Sequence, residues 1–404
     1  MRVGVIGQGY VGLTIAISAV KAGHSISGVD LSSKVVGDLS NGISHIEGIS
    51  DLEIAESISK RAYSVSSDFG TIKDCDVIVI AVPTPLSEGE LPDLNSLKIA
   101  AKRIGENVDS SKLIISESTS FPGTLREVIK PIIDGASGLN HLFAVSPERV
   151  DPGNATFGPR NTPRLVGGLT DEARDKAIQF YLTFCDEVVA VSSAEVAEAA
   201  KLLENSFRFV NISFVNEFAR IMHSLDIPVD QVIQAAATKP YGFMSFTPTV
   251  GVGGHCIPVD PIYLQKVAEE SGRASHFIEL SERTNSEMPT YVAGLLSEIS
   301  GGLSGKRVLV AGVSYKPDVA DTRESSAEPF IDELKRLGAR VSWHDPLVKT
   351  WRGEKSADLN KDFDLCFVLT THESLDLSDW AGGPIYTLMP STKHPEWISL
   401  LGAR

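Results

Sequence analysis

The sequence predicts an α/β protein built on parallel sheets, and three observations carry that expectation. Strand-like apolar runs alternate with helical stretches over residues 2–166. A glycine turn joins the first strand to the first helix. A second series of strand candidates begins near Ser304, beyond a long helical segment. The 404 residues suit roughly two or three domains. With 42% hydrophobic and 22% charged residues, the chain can bury real cores, which excludes wholesale disorder and fibrous structure. The charge balance, 37 − 52 = −15, repels nucleic acid and anionic membrane, so an anionic ligand must be held by local groups. No apolar stretch approaches the ~20 residues of a membrane span, and Met1-Arg2 runs directly into a strand, so no secretion signal is expected.

Taken in order, residues 2–6 (RVGVI) read as a strand, 7–12 (GQGYVG) as a turn, 13–23 (LTIAISAVKAG) as a helix and 25–30 (SISGVD) as a second strand, together one βαβ unit. Further strands are expected at Asp76–Val82, Lys112–Ser116, Leu142–Val145 and Arg164–Val166. Residues 193–223 lack Gly and Pro and repeat apolar residues at helical spacing, which predicts one long helix. The segments 305–318 (GKRVLVAGVSYKPD), 338–346 (GARVSWHDP) and 364–372 (DLCFVLTTH) supply the strands of a second α/β region. The expected domains are therefore 1–192, a helical middle at 193–300, and 301–404.

Gly7-x-Gly9-x-x-Gly12 follows a strand, opens a helix and precedes Asp30 at the end of the next strand. Gly7 permits the tight turn, Gly9 admits a pyrophosphate to the backbone, and Gly12 lets the helix pack closely. The helix N-terminus offers N–H groups and a positive dipole end to phosphate. Asp30 accepts hydrogen bonds from ribose hydroxyls and repels a 2′-phosphate, which favours NAD over NADP. The alternative is a plain βα turn with a surface Asp.

Four cysteines (Cys75, Cys185, Cys256, Cys366) stand far apart with no Cys-x-x-Cys pair. Neither a metal site nor a disulfide framework is expected, and a reducing cytoplasm fits. A single thiol is more often an inert small hydrophobe than a nucleophile. Around Cys256, however, Gly251, Gly253, Gly254, Pro258 and Pro261 impose an unusual backbone. Beside an NAD site such a thiol can trap an aldehyde as a thiohemiacetal, whose hydride loss gives a thioester. His255 reads as a loop-shaping or substrate-contacting residue. Lys201 and Asn205 share a helix face, as do Glu198 and Lys201, a pattern equally compatible with a solvated face. Glu148 and Arg149, in the run Ser146-Pro-Glu-Arg-Val-Asp-Pro-Gly153, follow a strand where α/β sites form, although charged loop residues are common.

Seven segments in order carry a resemblance: GQGYVGL at 7–13, AVPTP at 81–85, STSFPGT at 118–124, SPER at 146–149, EAAKLLEN at 198–205, GVGGHCIPVDP at 251–261 and YKPDVADTRES at 315–325. Together they resemble the nucleotide-sugar 6-dehydrogenases, the UDP-glucose/GDP-mannose dehydrogenase family. The resemblance implies two Rossmann-like doubly wound domains joined by a long central helix and a helical middle domain. It implies NAD as cofactor, a UDP-sugar as substrate, a homodimer through the central helix and a cytoplasmic role in polysaccharide biosynthesis.

Position by position, it makes Cys256 the catalytic thiol, Lys201 and Asp260 the pair that moves protons and stabilises the oxyanion, and Asn205 their amide partner. Glu148 would assist thioester hydrolysis and Thr119 would hold the catalytic water. Gly7, Gly9, Tyr10, Val11, Gly12, Asp30, Lys34, Thr84, Ser118 and Arg323 would contact NAD. Glu148, Arg149, Lys201, Asn205, Gly251, Gly253, Gly254, Tyr315 and Lys316 would contact the substrate. The runs 146–153, 237–244 (ATKPYGFM) and 253–261 resemble the N-acetylhexosamine branch, and Lys239-Pro240 stand where the UDP-glucose branch often has an arginine. The expected reaction is the four-electron oxidation at C6 of UDP-GlcNAc or UDP-ManNAc, with UDP-glucose as the alternative sugar. Remoter alternatives are a two-electron β-hydroxyacid-type dehydrogenase, which needs neither thiol nor UDP domain, and a non-catalytic NAD- or nucleotide-sugar-binding regulator.

Overall fold

The computed structural model describes residues 1–87, 91–151, 154, 156–359 and 362–402. It divides into two compact units, Met1–Glu204 with Ile262–Gly272, and Asn205–Pro261 with Arg273–Arg404.

The first unit begins β1 (Arg2–Ile6), α1 (Tyr10–Lys21), β2 (Ser25–Val29), α2 (Ser33–Ser40), α3 (Asp51–Ser59), β3 (Tyr63–Ser66), β4 (Val77–Ile80), α4 (Asn95–Asn107) and β5 (Leu113–Ser116). It continues with α5 (Lys130–Ser137), β6 (Leu142–Val145), β7 (Arg164–Gly168), α6 (Asp171–Tyr181) and β8 (Val188–Ala190). The strands form one sheet in the order β3-β2-β1-β4-β5-β6-β7-β8. Strands β4 (VIVI) and β5 (LIIS) are buried throughout, as expected of parallel strands covered on both faces. The order reverses direction between β1 and β4, which opens a crevice at the carboxyl ends of these strands. The sheet is not wholly parallel, because β7 runs antiparallel to β6. Their connection contains no helix among the described residues, and a parallel return needs a crossover. β3 (YSVS) has only two apolar residues and β8 (VVA) is only three residues long, too little pattern for either to be legible as a strand in the sequence.

α7 (Ala194–Ser224) is the long helix expected from residues 193–223; it runs from the first unit into the second. α8 (Val229–Ala237), α9 (Asp260–Glu270) and α10 (His276–Ile299) follow. The second sheet is built from β9 (Arg307–Ala311), then, beyond α11 (Ala327–Arg336), β10 (Arg340–His344). After a small β11 (Thr350–Trp351) and β12 (Glu354–Lys355) ribbon come β13 (Leu365–Val368), β14 (Ile385–Thr387) and β15 (Ile398–Ser399). The order is β10-β9-β13-β14-β15, all parallel, with its reversal between β9 and β13. Its core packs Phe330 of α11 against Phe367 of β13, ring centroids 4.7 Å apart.

Candidate active site

The glycine turn after β1 has the stereochemistry of a dinucleotide cradle. Gly7 is left-handed (φ +89°), and a Cβ there would stand 2.4 Å from the Ala81 carbonyl oxygen. A Cβ on Gly12 would stand 1.8 Å from the Gly7 carbonyl oxygen, so α1 can close on the turn only through glycine. Over Gly9, in contrast, a Cβ would meet nothing within 4 Å. No side chain caps the N-terminus of α1 and its first turn, led by Tyr10 and Val11, holds no acid. That open, uncapped terminus fits a pyrophosphate. Asp30 is oriented by two backbone donors, Gln8 N–H to Oδ2 and Ser32 N–H to Oδ1, each 2.8 Å, and remains only half-buried. Lys34, the second residue of α2, is exposed and paired with Asp38 at 2.8 Å.

Sequence reasoning missed Gln8. Fully buried, it donates to the Val5 carbonyl at 2.8 Å and accepts from the Tyr63 hydroxyl at 2.8 Å, bracing the turn from beneath. The available signal was Gly28, where a Cβ would come within 2.8 Å of the Gln8 side chain.

The loops after β4, β5 and β6 lie at the same carboxyl edge. Thr84 is buried, and its carbonyl accepts from the hydroxyl of the fully buried Tyr263 at 3.0 Å. The Ser118 hydroxyl donates to the Val82 carbonyl at 2.7 Å. Thr119 is half-buried in the segment that Glu198 fixes, by accepting the N–H groups of Gly123 (2.7 Å) and Leu125 (3.0 Å). Burial pushes the Glu198 carboxyl up to about 7, against those two hydrogen bonds.

After β6, Glu148 shares one buried guanidinium with a second acid. Arg164 donates from Nη2 to Glu148 at 3.1 Å and from Nη1 to both carboxylate oxygens of Glu117, which also accepts the Tyr181 hydroxyl. Burial alone would raise Glu148. Arg164 and the N–H groups of Val150 and Arg149 outweigh it, with help from Lys201, so the carboxyl is held below its ordinary range. The Tyr10 phenol is pushed up by burial and then by the Glu148 charge, which places the first residue of α1 in the field of this acid. Arg149 spends its nitrogens on Glu204 (2.7 and 3.2 Å) and the Pro163 carbonyl (2.7 Å), tacking the loop to α7. Pro152 and Gly153 of this run lie outside the described residues.

In the second unit, Cys256 is exposed at the start of a tight turn: its carbonyl accepts from Val259 (3.2 Å) and Asp260 (2.9 Å) N–H. Asp260 is buried and accepts the Asn205 amide at 2.5 Å. The glycines before Cys256 allow its loop to lie on residues 315–326. A Cβ on Gly253 would stand 2.6 Å from the Glu324 carbonyl, one on Gly254 2.8 Å from the Tyr315 ring, and one on Gly251 3.1 Å from Ser326. The Gly254 N–H donates to the Arg323 carbonyl at 3.2 Å. Arg323 is held by Asp321 and lies in the field of Cys256, while Lys316 stands 6.0 Å from the Tyr315 ring centroid. Burial, then Arg323, lowers His255, so its ring is neutral near pH 7.

Two buried-face amides also escaped sequence reasoning. Asn216 accepts the Thr249 N–H at 2.8 Å and Asn285 the Val252 N–H at 2.6 Å. Asn216 was findable, because it stands three helical turns beyond Asn205 on the same face of α7. Among the described residues no group of three or more His, Cys, Asp and Glu could hold a metal.

Three profiles of one family match the chain: the NAD binding domain at residues 1–185, the central domain at 195–287 and the UDP binding domain at 309–393. The chain belongs to the UDP-glucose/GDP-mannose dehydrogenase family. It is therefore an NAD-dependent nucleotide-sugar dehydrogenase, an oxidoreductase. It is 34% identical to the UDP-N-acetyl-D-mannosamine dehydrogenase of Pyrococcus horikoshii, over 86% of this chain and 84% of that one. The structure titled UDP-D-ManNAc dehydrogenase from the same organism superposes with a TM-score of 0.87, covering 96% of this chain and 95% of that one at 31% identity. The UDP-N-acetyl-D-glucosamine 6-dehydrogenase of Pseudomonas aeruginosa is 33% identical, over 86% of this chain and 83% of that one. A UDP-glucose dehydrogenase structure from Pyrobaculum islandicum gives a TM-score of 0.89 at 25% identity, covering 100% of this chain and 98% of that one. In this family member no described helix is long and apolar enough to cross a membrane.

Proposed function

We propose that this dehydrogenase oxidises a UDP-N-acetylhexosamine, UDP-GlcNAc or UDP-ManNAc, at C6 to the uronic acid, with Cys256 as nucleophile. The observation that carries the reading is an exposed thiol on a glycine-built turn, backed by the Asn205–Asp260 pair, in a chain whose first unit holds an NAD cradle. Bound NAD supplies a hydride acceptor, used twice per sugar. Lys201 and Asp260 take the C6 hydroxyl proton as the alcohol becomes an aldehyde. The Cys256 thiolate then adds to C6, and Lys201 and Asn205 stabilise the oxyanion of the thiohemiacetal. Loss of the second hydride leaves a thioester. Glu148, ionised beside Arg164, draws a proton from a water held by Thr119; the water oxygen bonds to C6, the C–S bond breaks and the thiolate is restored. One water is consumed and two NADH form. Tyr315 and Lys316 hold the UDP.

The sugar reading rests on the two N-acetylhexosamine relatives. The test is NADH formed per sugar with UDP-GlcNAc, UDP-ManNAc and UDP-glucose offered separately. Two NADH from one N-acetylated sugar, abolished in Cys256→Ala, is the expected result. Preference for UDP-glucose would overturn the sugar, and one NADH per sugar would overturn the mechanism.

We also infer a homodimer through α7 and activity in the cytoplasm. Leu203, Phe207, Phe214 and Ile221 are exposed on this helix at steps of four, seven and seven residues, a spacing that keeps them on one face as in a helix-pairing seam. A monomer by sedimentation for the wild type, or an unchanged dimer for Phe214→Glu, would remove the seam.

A further inference from the structure

Outside the residues assigned to chemistry, the second unit contains a buried, hydrogen-bonded carboxylate–imidazole pair at the back of the 313–323 loop. Asp345 and His372 have no exposed side-chain surface, and Nε2 of the imidazole stands 3.0 Å from Asp345 Oδ2. The same carboxylate oxygen accepts the N–H groups of Val313 (2.8 Å) and Ser314 (3.2 Å). The opposite ring nitrogen, Nδ1, stands 2.9 Å from the Asp318 N–H. A backbone N–H can only donate, so Nδ1 is the acceptor and the ring proton sits on Nε2. Asp318 is left-handed (φ +59°), a conformation uncommon for a non-glycine residue although Asp adopts it more readily than most. Its carboxylate accepts the Glu373 N–H at 2.6 Å, and Thr370 donates to the Ser314 carbonyl at 2.8 Å. Both ends of Ser314–Asp318 are thus gripped from behind, with Tyr315 and Lys316 between them.

The front of the same loop bears the nucleophile segment. The Tyr315 ring lies where a Cβ on Gly254 would be 2.8 Å away, two residues before Cys256, and the Arg323 carbonyl holds the Gly254 N–H. Such close packing leaves no slack: a loop displaced at its back moves Tyr315 against Gly254.

We propose that His372, fixed in one tautomer by Asp345, is a positioning residue that sets residues 314–318 for the diphosphate of the substrate and thereby the seat of the Cys256 loop. This rests on the reading of Tyr315 and Lys316 as UDP contacts. The decisive contact is the one that Nδ1 accepts from the Asp318 N–H, because it holds the left-handed residue two places after Lys316; the Nε2 bond serves to fix the tautomer.

The variants His372→Leu, His372→Asn and His372→Gln separate the two ends of the ring. Asn keeps an acceptor near Nδ1, Gln a donor near Nε2, and Leu neither. The readouts are KM for the UDP-sugar, KM for NAD, and protection of Cys256 by UDP against alkylation with iodoacetamide. In His372→Leu the expected result is a tenfold or larger rise in KM for the UDP-sugar, a KM for NAD within twofold of wild type, and loss of UDP protection. Asn should recover most of both effects and Gln little. A His372→Leu enzyme with wild-type KM and protection would overturn the proposal. If that variant fails to fold, the comparison of Asn with Gln decides, and equal KM values for the two would overturn it. A wild-type enzyme whose Cys256 is alkylated equally fast with and without UDP would instead defeat the reading of the UDP site, and the proposal with it.

Discussion

The two sheets use one device for different ends. In each, the first strand ends in a left-handed glycine whose N–H donates to the last residue of the neighbouring strand: Gly7 to Val29 and Gly312 to His344, both at 2.8 Å. In each, the acid that follows that strand accepts the N–H of the residue after the glycine, Gln8 for Asp30 and Val313 for Asp345, and that of the residue two places beyond itself, Ser32 or Leu347. The difference is what happens next. After Gly7 a helix begins within three residues, its N-terminus uncapped, and Asp30 keeps one side towards solvent. After Gly312 a loop runs to α11 at Ala327, and Asp345 is buried under His372. An acid left half-exposed can recognise a ligand. The same acid sealed by an imidazole can only hold the chain.

The hardest way to break the parallel is at the glycines. A Cβ on Gly7 would stand 2.4 Å from the Ala81 carbonyl and one on Gly312 2.1 Å from that of Thr370, both at positive φ. Alanine at either position should cost about 3 kcal/mol or more in urea unfolding. The two should differ in ligand loss: Gly7→Ala abolishes NAD binding and spares UDP, and Gly312→Ala does the reverse. Equal loss of both ligands in each variant would mean the two devices are not separate.

Next in size are the acids. Asp30→Ala removes charged acceptors facing the ribose, and KM for NAD should rise by about 10- to 100-fold. Discrimination against NADP should weaken while KM for the UDP-sugar stays put. Steady-state kinetics with both cofactors checks this, and an unchanged KM for NAD would contradict it.

The buried acids should also titrate with opposite sign. Against burial, His372 and the N–H groups of Val313 and Leu347 hold Asp345 down at about 2. Its contribution is present above the unfolded value of about 3.9 and is lost as pH falls through about 2. Glu198 is pushed up to about 7, so its contribution is present below the unfolded value of about 4.3 and is lost as pH rises through about 7. Unfolding of Glu198→Gln between pH 5 and 8 should therefore show the variant gaining on wild type by about 1–3 kcal/mol as pH rises. A pH-independent difference would refute the raised carboxyl. The smallest effect belongs to Lys34→Ala. With its ammonium exposed and paired to Asp38, KM for NAD should change less than about threefold and stability by less than about 0.5 kcal/mol.

Much of the candidate site could be read in the sequence because the chemistry proposed for it depends on residue types at short spacing. Gly7-x-Gly9-x-x-Gly12, the Lys201–Asn205 step and the glycines before Cys256 are local patterns with local stereochemical causes. Tyr263, Asn285 and Arg164 were not legible as supports, since each acts on a segment far away in the chain. Arg164 joins Glu117 and Glu148 across 47 and 16 positions, and nothing near Arg164 in sequence announces either partner.

The sequence by itself determined the alternation of strand and helix, the placing of the long helix, and the glycine turn after the first strand, because these follow from side-chain periodicity and from conformations only glycine adopts freely. Only the tertiary structure decided that β7 turns back antiparallel to β6, that Arg164 serves two acids, and that Asp345 is sealed by His372 while Asp30 is not. Those outcomes depend on which surfaces meet when the sheets form, and burial and pairing between distant residues are properties of the packed chain.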